Sequence, residues 1–221
     1  MTNSISNIRA IIFDMDGVLF LSGDSHERAF QEVLAGIGIA EFSYASIAGM
    51  RTDEALRQVI LAQGLDVSRY DIAELVRIKR ALSIRFLTEN AKIAPGICTL
   101  LKKLSLQYRL ALASSASPQT VKLFLQMSGC ESVFDCCVDG SLVNDAKPSP
   151  EIYLLALQQL HMAPAECLVV EDALSGIQAA KDAGLRVIGL VGTESAATLL
   201  SAGVEAVLSD ILELEGILMN A

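Results

Sequence analysis

The chain has 221 residues, of which 17 are basic and 26 acidic, so its formal net charge is −9 at pH 7. A chain of this length forms one large domain, or one domain with a small second one, and folds without needing disulfide or metal cross-links. The hydrophobic content of 52% excludes a disordered chain. The acidic balance argues against nucleic acid as a partner, because phosphates repel a chain that lacks a basic stripe.

The apolar runs are all shorter than the roughly 20 residues that a membrane-spanning helix needs, so we expect no membrane association. The polar segment 1–9 lacks the apolar stretch of a secretory signal. An odd number of cysteines without metal-binding spacing favours reduced thiols; these are Cys98, Cys130, Cys136, Cys137 and Cys167. We therefore predict a cytoplasmic protein, either a monomer or a dimer.

Six short apolar runs are typical of β-strands buried on both faces, because they are nearly continuous rather than alternating. They are Ala10–Phe13, Leu110–Ala113, Cys136–Val138, Cys167–Val170, Val187–Leu190 and Ala206–Leu208. Predicted helices separate most of them: one between Ser117-Pro118 and Gly129, one opening at Ser149-Pro150, and one over Leu174–Ala183. This alternation predicts an α/β fold with a doubly wound, Rossmann-like parallel sheet.

The segment between the first two strands departs from this alternation. From Asp24 to about Lys92 the pattern contains no strand and predicts three helices, Ser25–Ala35, Thr52–Gln63 and Ile72–Asn90. An all-helical insertion at a strand end is typical of a lid over a functional site. We predict a core domain of residues 1–23 and 93–221, with an inserted all-helical cap domain of residues 24–92.

Open α/β sheets bind ligands beyond the carboxyl ends of their strands, so the residues that follow each strand are the candidates for chemistry. They are Asp14 and Asp16, Ser114 and Ser115, Lys147, and Glu171 and Asp172. Crowded carboxylates repel one another, and a divalent cation that prefers oxygen ligands, such as Mg²⁺, removes that repulsion. The lysine and serine side chains would then bind a phosphoryl group.

Four motifs occur in the order Phe13-Asp14-Met15-Asp16-Gly17-Val18-Leu19, Ser114, Lys147-Pro148-Ser149-Pro150-Glu151 and Val170-Glu171-Asp172-Ala173-Leu174-Ser175-Gly176-Ile177. Together they resemble the haloacid dehalogenase superfamily, and more closely its phosphatase and β-phosphoglucomutase-like branch with a helical cap. The resemblance covers nearly the whole chain. It implies the core fold and the cap predicted above.

The resemblance also implies a role for each motif residue. Asp14 would attack phosphorus to form an aspartyl-phosphate, and Asp16 would be the general acid and base. Ser114, Ser115 and Lys147 would bind the phosphate. Mg²⁺ would be held by Asp14, the Asp16 backbone carbonyl and Asp172. Glu171 would either bind the metal directly or contact only the residues that bind it.

The choice between a phosphatase and a phosphomutase rests on the cap, because a mutase must hold a second phosphate there. The cap candidates for substrate contact are His26, Gly49, Arg51, Thr52 and Lys79. Resemblance to the mutases would place an arginine three residues after the glycine, but Arg51 comes two after Gly49 and Thr52 stands in that place. His26 and Lys79 are equally compatible with an exposed helix surface.

We therefore predict a Mg²⁺-dependent phosphatase that acts on a small phosphorylated metabolite, a sugar or polyol phosphate. A β-phosphoglucomutase-type enzyme is the alternative. A third hypothesis, a regulatory protein that keeps the fold without turnover, is disfavoured because all the motif carboxylates and Lys147 are present. The resemblance also separates the branches of the superfamily, because the dehalogenases and phosphonatases lack an aspartate two residues after the nucleophile. The presence of Asp16 therefore argues against both of these branches.

Overall fold

The structure, a computed structural model, describes residues 7–219. Its strands are β1 (Ala10–Phe13), β2 (Phe20–Leu21), β3 (Lys92–Ile93), β4 (Arg109–Ala113), β5 (Cys136–Val138), β6 (Cys167–Glu171), β7 (Arg186–Leu190) and β8 (Ala206–Leu208). Its helices are α1 (Gly23–Ala35), α2 (Thr52–Ala62), α3 (Ile72–Asn90), α4 (Ile97–Leu104), α5 (Pro118–Ser128), α6 (Glu151–Leu160), α7 (Leu174–Asp182), α8 (Ala196–Ser201) and α9 (Leu214–Met219). Six strands form one parallel sheet in the order β5-β4-β1-β6-β7-β8, which confirms the predicted α/β fold.

Helices cover both faces of this sheet, so its central strands are buried on either side. Alternate residues of β1 point in opposite directions: Ile11 and Phe13 join one hydrophobic cluster, and Ala10 and Ile12 join another. Helices α4, α5 and α9 pack on the first face, and α6, α7 and α8 on the second. Burial on both faces explains why the strands are nearly continuous apolar runs.

Helices α1, α2 and α3 form a separate layer between β2 and β3. They share a hydrophobic cluster that includes Phe30, Leu34, Leu56 and Ile60. The antiparallel pairing of β2 with β3 holds together the two places where the chain enters and leaves this helical layer. The division of the chain into a core domain and a cap domain stays a prediction.

The ends of several elements differ from the sequence prediction. Helix α5 begins and ends as predicted, since Ser117 Oγ accepts a hydrogen bond from Thr120 N at 3.3 Å and Gly129 has a φ of +63°. Helix α6 begins only at Glu151, because Pro150 occupies the cap position. The short elements β2, β3, α4, α8 and α9 were not predicted, because they offer too few residues for a clear period. Within residues 7–219, no helix combines the length and the hydropathy needed to cross a membrane.

Candidate active site

The carboxyl ends of β1, β4 and β6 lie side by side, because β1 pairs in parallel with both other strands. Asp14 follows β1, Ser114 follows β4, and Glu171 ends β6. All three side chains are buried. The sheet register thus brings residues from distant parts of the sequence to one edge of the sheet.

Lys147 lies at the centre of this edge and is fully buried. Its Nζ donates hydrogen bonds to Asp14 Oδ1 at 2.6 Å, to Glu171 Oε1 at 2.7 Å and to the Ala113 carbonyl at 3.2 Å. Burial alone would lower the pKa of Lys147, but the carboxylates of Asp14 and Glu171 outweigh burial and raise that pKa well above its ordinary value. Lys147 is therefore held as a cation.

Both carboxylate oxygens of Glu171 are occupied by donors from the protein. Oε1 accepts from Lys147 and, at 3.0 Å, from the hydroxyl of Tyr153. Oε2 accepts from the backbone N–H groups of Asp172 and Ala173 at 2.9 and 3.1 Å. A carboxylate accepts about four hydrogen bonds, so the acceptor capacity of Glu171 is filled.

Two glycines of the motifs leave room for the buried carboxylates. A Cβ atom on Gly176, in α7, would lie 1.5 Å from Glu171 Oε1. Gly17 has a φ of +84°, which disfavours other residues, and a Cβ there would lie 2.0 Å from Asp172 Oδ2. The close approach of backbone to carboxylate explains why both motifs contain glycine at these places.

Asp14, Glu171 and Asp172 form an acidic cluster in which one oxygen of each lies within 4.8 Å of the others. Lys147 offsets only part of this charge. Burial and the neighbouring carboxylates raise the pKa of Asp14 well above its ordinary value and raise the pKa of Asp172 to about 7, despite the hydrogen bond that Asp172 accepts from Thr193 Oγ1 at 2.6 Å. A divalent cation would relieve this repulsion, so the donor set fits a metal ion that prefers oxygen ligands.

The side chain of Asp16 contacts the start of the helical layer rather than Lys147. Its Oδ1 accepts from the Ser22 hydroxyl at 2.6 Å and lies 3.2 Å from His26 Nε2. The other ring nitrogen of His26, Nδ1, lies 3.0 Å from Lys79 Nζ. Because an ammonium group only donates, Nδ1 accepts this bond and the Nε2 proton is directed at Asp16. Lys79, His26 and Asp16 thus form a hydrogen-bonded chain from α3 to the sheet edge.

The protonation states along this chain follow from burial and from the order of the partners. Burial raises the pKa of Asp16, but the interactions with His26, Ser22 and Lys79 outweigh it and leave that pKa below its ordinary value. Burial and the charge of Lys79 lower the pKa of His26. Burial also lowers the pKa of Lys79 to about 8. At neutral pH Asp16 is therefore ionised beside a neutral imidazole.

Ser114 and Ser115 follow β4 and lie next to Asp16. Ser114 Oγ lies 3.5 Å from Asp16 Oδ2 and accepts from the backbone N–H of Ala116 at 3.1 Å. Ser115 Oγ is buried and has no hydrogen-bond partner among residues 7–219. The structure therefore brings both predicted phosphate-binding serines to the site and leaves the Ser115 hydroxyl available to a ligand.

The loop before α2 rests on the core loop that carries Lys147. Arg51 donates to the carbonyls of Val143 and Asn144 at 3.2 and 2.7 Å, and its Nε pairs with Asp53 at 2.7 Å. Glu54 Oε1 accepts from the backbone N–H of Ala146 at 3.3 Å, next to Lys147. The guanidinium of Arg51, predicted as a substrate contact, is thus occupied by protein partners.

Gly49 makes a second contact between this loop and the core. It has a φ of +75°, and a Cβ atom there would lie 2.7 Å from Ser175 Oγ. The Ser175 hydroxyl in turn donates to the Ala48 carbonyl at 3.0 Å. Thr52, predicted with Gly49, lies at the first position of α2.

A cavity separates the helical layer from the sheet edge. The predicted residues that line it are Asp14, Asp16, His26, Gly49, Thr52, Lys79 and Ser115. Tyr44, Ser83 and Thr120, which no sequence motif indicated, also line it. Ser83 comes four residues after Lys79, and the helical period that places both on one face of α3 was a usable signal.

Comparison with known proteins settles the family. Residues 8–184 match the family of haloacid dehalogenase-like hydrolases. The chain belongs to the haloacid dehalogenase-like hydrolases. It is 33% identical over 204 residues to a phosphorylated carbohydrates phosphatase of Thermotoga maritima, a match that covers 90% of this chain and 93% of that protein.

Two other similarities extend the comparison within these hydrolases. The chain is 28% identical over 191 residues to a β-phosphoglucomutase of Bacillus subtilis, covering 83% of each protein. Its fold matches the crystal structure of CbbY from Rhodobacter sphaeroides in complex with phosphate, with a TM-score of 0.79 and 32% identity over 94% of this chain and 96% of that one. The resemblance seen in the motifs is therefore confirmed for this haloacid dehalogenase-like hydrolase.

Proposed function

We propose that this hydrolase is a Mg²⁺-dependent phosphatase that releases phosphate from a small sugar or polyol phosphate through an aspartyl-phosphate intermediate. The observation that carries the proposal is the position of Asp14, buried at a strand end with Lys147 on one side and Asp172 close by. The similarity to a phosphatase of phosphorylated carbohydrates supports the substrate class.

Asp14 is the proposed nucleophile. One of its oxygens forms a bond to phosphorus while the bond between phosphorus and the leaving oxygen breaks, and Asp16 gives its proton to that oxygen. Water then attacks phosphorus, Asp16 accepts the proton of the water, and phosphate leaves the regenerated Asp14 carboxylate. Lys147, Ser114 and Ser115 are proposed to bind the phosphoryl oxygens, whose negative charge a buried ammonium and hydroxyl donors stabilise.

Asp16 must gain a proton before the first step, because its surroundings keep it ionised without substrate. A bound phosphate places negative charge next to Asp16, and a neighbouring like charge raises the pKa of a carboxylate. The arrival of substrate therefore favours protonation of the acid. The hydrogen bond from His26 then holds Asp16 toward the leaving oxygen.

Asp14 and Asp172, with the Asp16 carbonyl, are the proposed Mg²⁺ ligands. Within residues 7–219, neither Asp14 Oδ2 nor Asp172 Oδ1 accepts a hydrogen bond, so both oxygens are available to a cation. Glu171 has all its acceptor positions filled, and we assign it to holding Lys147 in place rather than to the metal. Mg²⁺, when bound, supplies positive charge that offsets the repulsion between a carboxylate nucleophile and phosphate.

A β-phosphoglucomutase-type enzyme is the second candidate, supported by similarity to the B. subtilis mutase. A mutase needs a cation in the cap for its second phosphate. Arg51 would be the obvious donor, but its guanidinium pairs with Asp53 and with core carbonyls. That arrangement favours the phosphatase.

We also propose that residues 24–92 are the cap of this enzyme, over a core formed by residues 1–23 and 93–221. The separate hydrophobic cluster of α1, α2 and α3 supports the proposal. So does the β2–β3 pair, which joins the helical layer to the rest of the chain at one place. A cap that moves about this pair would expose the cavity to substrate and then exclude water from it.

The test is release of phosphate from a panel of sugar and polyol phosphates and from p-nitrophenyl phosphate, with Mg²⁺ or with EDTA. We expect release that needs Mg²⁺ and is abolished in Asp14→Asn, whose circular dichroism should match the wild type. Conversion of β-glucose 1-phosphate to glucose 6-phosphate without net release, dependent on a bisphosphate primer, would support the mutase instead. The absence of both reactions across the whole panel would contradict an enzymatic role.

A further inference from the structure

Two buried side-chain hydroxyls in residues 7–219 lack a hydrogen-bond partner, Ser83 Oγ and Ser115 Oγ, and both line the cavity above Asp14. Ser83 is only 2% exposed. Buried hydroxyls in folded proteins almost always have a partner, so an unpaired one that faces a cavity indicates a ligand group. Ser115 belongs to the proposed phosphate site, whereas Ser83 lies on the opposite wall, in α3.

We infer that Ser83 binds a hydroxyl group of the substrate and so makes this site selective for polyhydroxylated monophosphates. The inference rests on the proposed phosphatase function. A phosphate bound against Asp14 and Ser115 leaves the carbon skeleton of the substrate to extend toward α3. Among residues 7–219, Ser83 Oγ is the buried side-chain polar atom of α3 that lines the cavity without a hydrogen-bond partner.

The surroundings of Ser83 suit a neutral hydroxyl better than a second phosphate. Lys79, one helical turn earlier, is the buried cation on this wall, but its Nζ is bonded to His26 and lies 4.3 Å from the centroid of the Phe30 ring. Arg80 also lines the cavity but is exposed, so water screens its charge. A serine hydroxyl both donates and accepts, which matches a sugar hydroxyl in either role.

Phe30 and Ile47 add apolar surface to the lining of the same cavity. Sugars and polyols combine hydroxyl groups with C–H faces, so a cavity lined by both an aromatic ring and an unpaired hydroxyl suits both parts of such a molecule. The combination predicts recognition of one defined hydroxyl rather than general attraction of anions.

The variant Ser83→Ala separates this role from a structural one. Alanine fits the helix better than serine and removes an unpaired buried hydroxyl, so the melting temperature should stay the same or rise. The kcat/KM for the best sugar or polyol phosphate of the panel should fall by about 5- to 20-fold, the effect of one lost hydrogen bond. Activity on phenyl phosphate, which has no hydroxyl outside its phosphate, should change by less than about twofold.

Substrate analogues identify the hydroxyl concerned. Wild type should discriminate against one monodeoxy analogue of its best substrate, and Ser83→Ala should lose that discrimination, because the two changes remove the same bond. Thr88→Ala is the matched control: Thr88 lies on the same helix, is exposed and bonds the Ile84 carbonyl of its own helix. Thr88→Ala should change neither the kcat/KM for the sugar or polyol phosphate relative to phenyl phosphate nor the discrimination against the monodeoxy analogue.

Three results would overturn the assignment. Ser83→Ala could lose kcat/KM equally for the sugar or polyol phosphate and for phenyl phosphate, with a lower melting temperature, or it could show no change in kcat/KM with any substrate. The third result is that the wild type prefers a sugar bisphosphate. If wild type hydrolyses neither phenyl phosphate nor any sugar phosphate, the proposed function fails and the Ser83 subsite falls with it. Failure of the subsite alone leaves phenyl phosphate hydrolysis by the wild type intact, so the two failures are distinguishable.

Discussion

Replacing Gly176 by alanine tests whether the buried Glu171–Lys147 pair depends on space at a single backbone position. The new Cβ would lie 1.5 Å from Glu171 Oε1, so the carboxylate must move by at least about another 1.5 Å to reach the shortest contact that Cβ atoms tolerate. That shift breaks the bonds of Glu171 to Lys147 and Tyr153. Disrupting a buried ion pair costs about 3–5 kcal/mol, whereas alanine in a helix gains up to about 1 kcal/mol over glycine. The net expectation is a loss of about 2–4 kcal/mol in the free energy of unfolding.

Urea unfolding followed by circular dichroism measures this loss, provided that the slope m is the same for both proteins. The melting temperature should fall by roughly 5–15 °C for a chain of this size. Gly216→Ala is the matched control, because Gly216 also lies in a helix and a Cβ there meets no heavy atom within 4 Å. It should be neutral or stabilising by up to about 1 kcal/mol. A Gly176→Ala protein as stable as the wild type would refute the role assigned to this glycine.

Two further variants test the proposed cap. Burial lowers the pKa of Lys79 to about 8, so between pH 8 and 10.5 the unfolded chain binds more protons than the folded one. As the pH rises through this range, the free energy of unfolding of the wild type should therefore increase by up to about 3 kcal/mol relative to that of Lys79→Met. Urea unfolding of both proteins at pH 7 and pH 10 checks this, and a stability difference that does not change with pH would contradict it. Arg51→Ala removes the bonds to the Val143 and Asn144 carbonyls, so KM should rise about 5- to 10-fold, while the exposed Arg57→Ala should have no effect. Steady-state kinetics measures the KM of both variants, and values equal to that of the wild type would show that this contact does not position the proposed cap.

Features that depend on local sequence were predictable. The runs Ala10–Phe13, Cys136–Val138 and Ala206–Leu208 match their strands residue for residue, because polar or turn-forming residues bound them. The parallel sheet then places whatever follows its strands at one edge, which is why Asp14 and Glu171 could be grouped from the sequence. Whether Glu171 contacts a metal was not predictable, since its partners include Tyr153 and backbone N–H groups that only the folded chain brings near.

Features that depend on how the helical layer meets the sheet were not predictable. Arg51 bonds a carbonyl 93 positions away, and nothing in the residues around it specifies that distance or direction. Ser83 lies on the same face of α3 as Lys79, but only the cavity shows that its hydroxyl has no partner.

The hydrogen bonds of Lys147 also indicate how binding and reaction are coupled. An ammonium group has three N–H donors, and those of Lys147 are used by Asp14, Glu171 and the Ala113 carbonyl. A bond from Lys147 to a phosphoryl oxygen must therefore replace one of these. Ala113 offers a backbone carbonyl, and Glu171 is itself held by two backbone N–H groups, so in the proposed mechanism the bond to Asp14 is the one exchanged. Losing it would free a lone pair of Asp14 Oδ1, so in the proposed mechanism the contact that orients the nucleophile before binding is released when phosphate binds.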